Sequence, residues 1–286
     1  MSNLLTRSLV GTFGLMALTA SACAGPVTQR IYPAPQEPLS ASGMPAGTEL
    51  LTISSRDGIA LKGLYRPAAG KDRPLLLVLH GNASSAATTM RWLAPLVDEG
   101  FGILAAEYRG YSGLAGTPNE AGLTDDAAAF LAEGRRLAGG RPLWVVGHSI
   151  GGAVGLSLSR RERLDQLVTI GTFTRLRDMA PKLARGVVPN EYRNLDTIAT
   201  IDEPYALIHG LRDGVVPWKM GEELHKAAVR SKRRGNSYIL SEAGHQPDVA
   251  LILAVLEDIQ ARSGGREPTK LPTAIRVVPF AAADKR

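Results

Sequence analysis

The chain of 286 residues contains a single cysteine, Cys23. A lone thiol excludes an intramolecular disulfide framework and a zinc site built on several thiolates. Long apolar runs are also missing. The run from Leu9 to Ala20 falls short of the ~20 residues that a transmembrane helix needs, so a polytopic membrane protein is not expected. There is no internal repeat. Charge of one sign is scarce in the body of the chain. The net charge is +6, but Arg7 supplies +1 of it. Residues 264–286 supply +3, from Arg266, Lys270, Arg276, Lys285 and Arg286 against Glu267 and Asp284. The remainder carries only +2, so the total is no argument for a nucleic-acid partner. Nothing in the chain calls for a cofactor or a metal. Hydrophobic residues at 44% and charged residues at 21% are ordinary for a globular protein. The length suits one large domain or two small ones.

The two ends differ from the middle. Residues 1–23 read as an export signal: Arg7, the apolar run, then Ala20-Ser21-Ala22 before Cys23. Thr19-Ala20-Ser21-Ala22-Cys23 resembles a bacterial lipoprotein box, with Ala20 where leucine is usual. The resemblance implies lipidation of Cys23 and a membrane tether. The expected location is the cell envelope, as an anchored lipoprotein or otherwise a periplasmic or secreted protein. Residues 24–47 hold Pro26, Pro33, Pro35, Pro38 and Pro45 and read as a semi-extended tether. Residues 264–286 read as a loose basic tail that can pack through Ile275–Val278. The body is therefore 48–263.

Within the body, apolar runs alternate with helical stretches. Strands are predicted at 74–80, 102–108, 142–148, 167–170, 205–209 and 237–241. Helices are predicted at 85–99, 120–138, 150–161, 218–231 and 248–262. A hairpin, 48–55 with 59–66, turns on Asp57-Gly58. This order gives a mostly parallel central sheet with helices on both faces. In such sheets, sites form where loops leave the carboxyl ends of strands.

The informative residues lie there. Gly147-His148-Ser149-Ile150-Gly151 fits G-x-S-x-G, between a strand and a helix. That turn is too tight for side chains at 147 and 151, and it exposes the serine hydroxyl. Serine needs a base to take its proton. Of five histidines, His245 follows the last strand and is the candidate base. His148 is expected to point away from Ser149, His80 and His209 to orient loops, and His225 to lie on the surface. Asp213, in the loop after the 205–209 strand, is the candidate acid. Its competitors are Asp202, before that strand, and Asp248, which suits a helix cap. The order Ser149, Asp213, His245 matches one known triad arrangement. The backbone N–H groups of Ile150 and Asn82 are the candidate oxyanion donors.

His80-Gly-Asn-Ala, Tyr108-Arg-Gly-Tyr111 with Gly116-Thr-Pro118, Gly147-His-Ser-Ile-Gly151, His209-Gly-x-x-Asp213 and Gly244-His245 together resemble the α/β-hydrolase superfamily. Within it they look like the bacterial branch grouped with serine aminopeptidases, monoacylglycerol lipases and membrane-associated acyl-hydrolases. The resemblance covers about 48–263. It implies the α/β-hydrolase fold with a small lid, an oxyanion hole from Asn82 and Ile150, and a buttress at Glu107–Gly110, which reads as a strand end and turn. Ser112 departs from the glycine common at its place.

The implied reaction is ester hydrolysis through an acyl-enzyme on Ser149, with a small-molecule or lipid-like acyl ester as substrate. The same triad also serves an aminopeptidase or amidase. An acyl transferase would need an acceptor site that the sequence does not reveal. A catalytically silent envelope-binding lipoprotein is the reading from another class. Only about 35 residues separate the 167–170 and 205–209 strands, hence the small lid. Its Phe173, Leu176, Met179, Leu183, Val187 and Val188 are expected mostly to pack on the sheet rather than to line an acyl groove.

Overall fold

In a computed structural model, residues 26–69, 72–189 and 191–281 are described. The proposed signal and Cys23 lie outside them. The elements run α1 (Pro26–Ile31), β1 (Glu49–Ser54), β2 (Ala60–Arg66), β3 (Leu75–Leu79), α2 (Ala86–Trp92), α3 (Ala94–Asp98) and β4 (Gly102–Ala106). Then follow α4 (Glu120–Ala138), β5 (Leu143–His148), α5 (Ile150–Ser159), β6 (Gln166–Ile170), α6 (Asn194–Ile198) and β7 (Tyr205–Gly210). The chain continues through α7 (Trp218–Arg230), β8 (Gly235–Leu240), α8 (Val249–Ser263) and β9 (Ile275–Pro279).

These strands form one sheet in the order β1-β2-β4-β3-β5-β6-β7-β8-β9. The pairs from β4 to β8 are parallel, while β1, β2 and β9 pair antiparallel. Every residue of β3, β4 and β6 is buried, because helices cover both faces and leave no solvated side. Two apolar clusters result, one per face. The chain steps from β3 to β4 on one side and then to β5 on the other. The loops leaving β3 and β5 part there, which opens the crevice that parallel sheets use for ligands.

Two expectations need correction, and a third is made definite. The helix predicted over 85–99 is two helices, with Leu93 between them and Pro95 in the first turn of the second. A proline at 95 cannot continue the first helix, since its ring would meet the carbonyl four residues back. Residues 28–47 are not a free tether. Tyr32 and Leu39 are buried, and Ser112 N–H donates to the Pro35 carbonyl at 2.7 Å. Prolines cost this docking little, because they leave the unfolded segment less freedom to lose. The tail does pack through Ile275–Val278, as a strand of the sheet rather than loosely. β9 completes the sheet beside β8, and Phe280 stacks on Tyr205 at 5.5 Å. Tyr238 and Arg262 donate to the buried Asp258 carboxylate, at 2.9 and 2.6 Å. Thr269 N–H, just past α8, donates to the same carboxylate at 3.1 Å.

Candidate active site

Ser149 occupies the turn from β5 to α5 with φ 55° and ψ −117°. Such a conformation costs a non-glycine residue ~1–3 kcal/mol, so its surroundings must enforce it. They do so from three sides. Ser149 N–H donates to the Ile170 carbonyl at 2.8 Å. Thr172 Oγ1 donates to the Ser149 carbonyl at 3.2 Å. The flanking glycines leave no room to relax: a Cβ on Gly147 would lie 2.3 Å from the Gly151 oxygen, and one on Gly151 would lie 2.0 Å from the Leu79 oxygen. Ile150 then opens α5, where the first N–H groups of a helix have no partner within it.

Asp213 and His245 come together from the loops after β7 and β8. His245 Nδ1 donates to Asp213 Oδ2 at 2.8 Å. The other oxygen, Oδ1, accepts the N–H groups of Val215 and Val216 at 2.9 and 2.7 Å. Burial pushes this carboxyl up, but the His245 hydrogen bond and the two backbone donors hold it below the ordinary aspartate value. A Cβ on Gly171 would lie 3.1 Å from both partners, so the backbone after β6 closes against the pair. The competitors are elsewhere. Asp202 is exposed beside Arg233, and Asp248 caps α8 by accepting from Ala250 N–H at 2.8 Å.

The other histidines differ in role. His80 is fully buried, with Nδ1 at 2.8 Å from the Gly81 carbonyl and Nε2 at 2.8 Å from Glu107 Oε1. Glu107 also accepts from Ala86 N–H at 3.0 Å and Ser112 Oγ at 2.8 Å. Burial pushes its carboxyl up, yet His80 and these donors hold it below the ordinary glutamate value. His209 Nε2 donates to the Val216 carbonyl at 2.9 Å and so anchors the Asp213 loop. His225 is half-buried rather than fully on the surface, bonded to Ser237 Oγ at 2.9 Å. His148, expected to point away from Ser149, is bonded to the loop that carries His245. Its Nε2 donates to the His245 carbonyl at 2.8 Å, and its ring lies 4.7 Å from the His245 ring. Burial, then the nearby His245, push it down to about 4. Trp92 supports the same loop by packing edge-to-face against His148 and donating to the Pro247 carbonyl at 3.1 Å. Sequence reading passed over Trp92, whose contact partner lies 155 residues away.

Two cavities meet at Ser149 and Asn82. One, of about 230 Å³, is lined by His245, His148, Ser84, Thr88 and Gln246 among others. The other, of about 480 Å³, is apolar, with Phe173, Leu176, Met179, Val187, Val188 and Val215 in its walls. Five of the six lid residues line this cavity, and four of them, Phe173, Leu176, Met179 and Val188, also pack in or against the core, as expected. Leu183 is fully exposed. Among the described residues, none that lines either cavity is acidic.

The chain matches the family described as serine aminopeptidase, S33, over residues 70–200. That span contains Ser149 and ends before Asp213 and His245. An uncharacterized protein of Mycobacterium tuberculosis is 31% identical over 204 residues, covering 68% of this chain and 72% of its own. A lysophosphatidylserine lipase of Rattus norvegicus is 28% identical over 193 residues, covering 59% of this chain and 48% of its own. Among solved structures, an esterase of Pyrococcus furiosus aligns with a TM-score of 0.61 at 19% identity, over 82% of this chain and 97% of its own.

Proposed function

The chain belongs to the α/β-hydrolase superfamily, in the serine aminopeptidase family, and on that premise we propose that it is a serine hydrolase that cleaves acyl esters. Ser149 Oγ attacks the ester carbonyl carbon while His245 Nε2 takes its proton. Asp213 holds His245 by Nδ1 and stabilises the imidazolium that forms. The carbonyl oxygen becomes an oxyanion, met by the N–H groups of Ile150 and Asn82. His245 returns the proton to the leaving alcohol as the acyl-enzyme forms. Water then repeats the sequence, releasing the acid and restoring Ser149. The observation that carries this reading is the His245–Asp213 hydrogen bond of 2.8 Å beside a serine held at φ 55°.

An ester suits the surroundings better than an amino-terminal peptide. Recognition of a free amine calls for a carboxylate, and none lines either cavity among the described residues. The larger cavity is apolar, as an acyl chain requires. A fluorophosphonate probe tests the assignment directly. It is expected to label the wild type at Ser149 and to leave Ser149→Ala unlabelled. Absence of label on folded wild type would leave a non-catalytic binding protein. A panel of acyl esters and aminoacyl amides then separates the two chemistries, and faster turnover of the amides would overturn the ester reading.

We also propose that the protein is exported and tethered to a membrane by lipid on Cys23. Arg7, the apolar run after it and the small residues before Cys23 support this. Metabolic labelling with a palmitate analogue is expected to tag the wild type and not Cys23→Ser. An unlabelled wild type would reject it.

A further inference from the structure

The apolar cavity is not built by the hydrolase body alone. Arg30 and Ile31, at the end of α1, form part of its wall beside Ser149 and Asn82. This segment precedes the first strand by almost twenty residues, yet it is tied to the site at four points. Asn82 Nδ2 donates to the Ile31 carbonyl. That carbonyl ends a helix and has no partner within it, so the amide supplies one. Asn82 Oδ1 in turn accepts from Tyr111 at 2.8 Å. Tyr32, only 4% exposed, donates from its hydroxyl to Glu191 of the lid at 2.6 Å. Gln36 Nε2 donates to the Gly110 carbonyl at 3.1 Å.

The fourth tie explains Ser112. Its φ is 50°, a conformation that favours glycine. Serine is held there because both of its polar groups are used. Its N–H meets Pro35 and its Oγ meets Glu107, the carboxylate that also binds His80 and Ala86 N–H. Residues 30–36 therefore reach the loop bearing Asn82 twice, once directly and once through Ser112 and Glu107.

We propose that residues 30–36 are a strap that sets how long an acyl chain the cavity accepts, with Ile31 as the specificity-determining side chain. This rests on the serine-hydrolase reading for its substrate, but not for its physical content. Ile31 is half-buried and packs against the core cluster that contains Phe173 and Leu176. Its carbonyl is bonded by Asn82 and the next residue is bonded to the lid, so this stretch of wall is tied at two successive residues. A larger side chain at 31 shortens the cavity and a smaller one lengthens it.

The experiment uses the full chain with Ile31→Trp and Ile31→Ala. Turnover of p-nitrophenyl esters from butyrate to palmitate reads the preference as a ratio of kcat/KM values. Competition of fatty acids of the same lengths against a fluorescent fatty acid reads the cavity without turnover. Ile31→Trp is expected to lower the dodecanoate-to-butyrate ratio at least tenfold and to move the binding optimum to shorter chains. Ile31→Ala is expected to move both the other way. A general loss of folding cannot shift two variants in opposite directions. Unshifted profiles, or shifts in the same direction, in variants that still label with fluorophosphonate would overturn the strap. A wild type that never labels, but whose binding optimum shifts as stated, would overturn the enzyme reading and keep the strap.

Discussion

The two sides of Ser149 are made in different ways. On the sheet side, Ser149, Asp213 and His245 each follow a buried parallel strand. Their positions are set by backbone contacts too close for even a methyl group, as at Gly147 and Gly151. On the other side, the apolar cavity is assembled from a strap before the first strand and a lid between β6 and β7. There the ties are single side-chain hydrogen bonds, such as Tyr32 to Glu191 and Asn82 to Ile31. The first construction is rigid and suits bond-making, where small displacements are costly. The second tolerates change and suits selection among substrates. Mutations on the sheet side should therefore affect kcat for all substrates alike, and mutations on the cavity side should affect one chain length more than another.

The largest effect is expected at Asp213. Asp213→Asn keeps the size of the side chain but removes the charge that holds His245. A fall of ~10³–10⁴ in kcat is expected for short and long esters alike, and steady-state kinetics checks it. A loss confined to one chain length would break the division between the two sides. Next comes Met179→Ala in the lid. It removes apolar surface from the larger cavity, so kcat/KM for dodecanoate should fall about three- to tenfold, with a smaller change for butyrate. Equal losses for both esters would show that the lid serves the chemistry as well.

The smallest effect concerns pH and the His148 contact. The folded pKa of His148, about 4, lies below the ordinary value near 6.5. The unfolded chain therefore binds the proton more readily. This contribution to stability is complete above pH ~6.5 and is lost as the pH falls towards 4. At pH 5 the loss is on the order of 1–2 kcal/mol, or a few °C of Tm at this size. Asp213 and Glu107 have lowered folded pKa values, so they lose their contributions only at more acid pH, as each carboxylate is protonated. In His148→Asn, thermal unfolding should show a shallower fall of Tm between pH 7 and pH 5. An unchanged slope would show that His148 is not the group that titrates there.

How much could be read from the chain alone follows the same division. The strands leading to Ser149, Asp213 and His245 lie within two residues of their expected bounds, because buried parallel strands are continuous apolar runs closed by turn residues. The break at Leu93 was there to be read in Pro95. The bond of His148 to the His245 carbonyl could not be read from the chain, because that partner lies 97 residues away and a motif read locally cannot show it. The strap was misread for a related reason. Five prolines in residues 24–47 look like a spacer, and only Tyr32 and Leu39 hint at docking. Ser112 departs from the glycine common at its place, and only its two partners, Pro35 and Glu107, give its left-handed backbone a cause.

Local structure was thus written in the chain: a turn so tight that glycine is obligatory, a serine at its tip, and an aspartate and a histidine after successive strands. These follow from short-range sterics and from hydrophobic periodicity, which act between neighbours in sequence. The shape of the apolar cavity, the contact of His148 with His245 and the docking of the strap came only from the tertiary structure. They depend on groups 51, 97 and 159 residues apart, and such pairs meet only after the sheet has brought their loops to one edge.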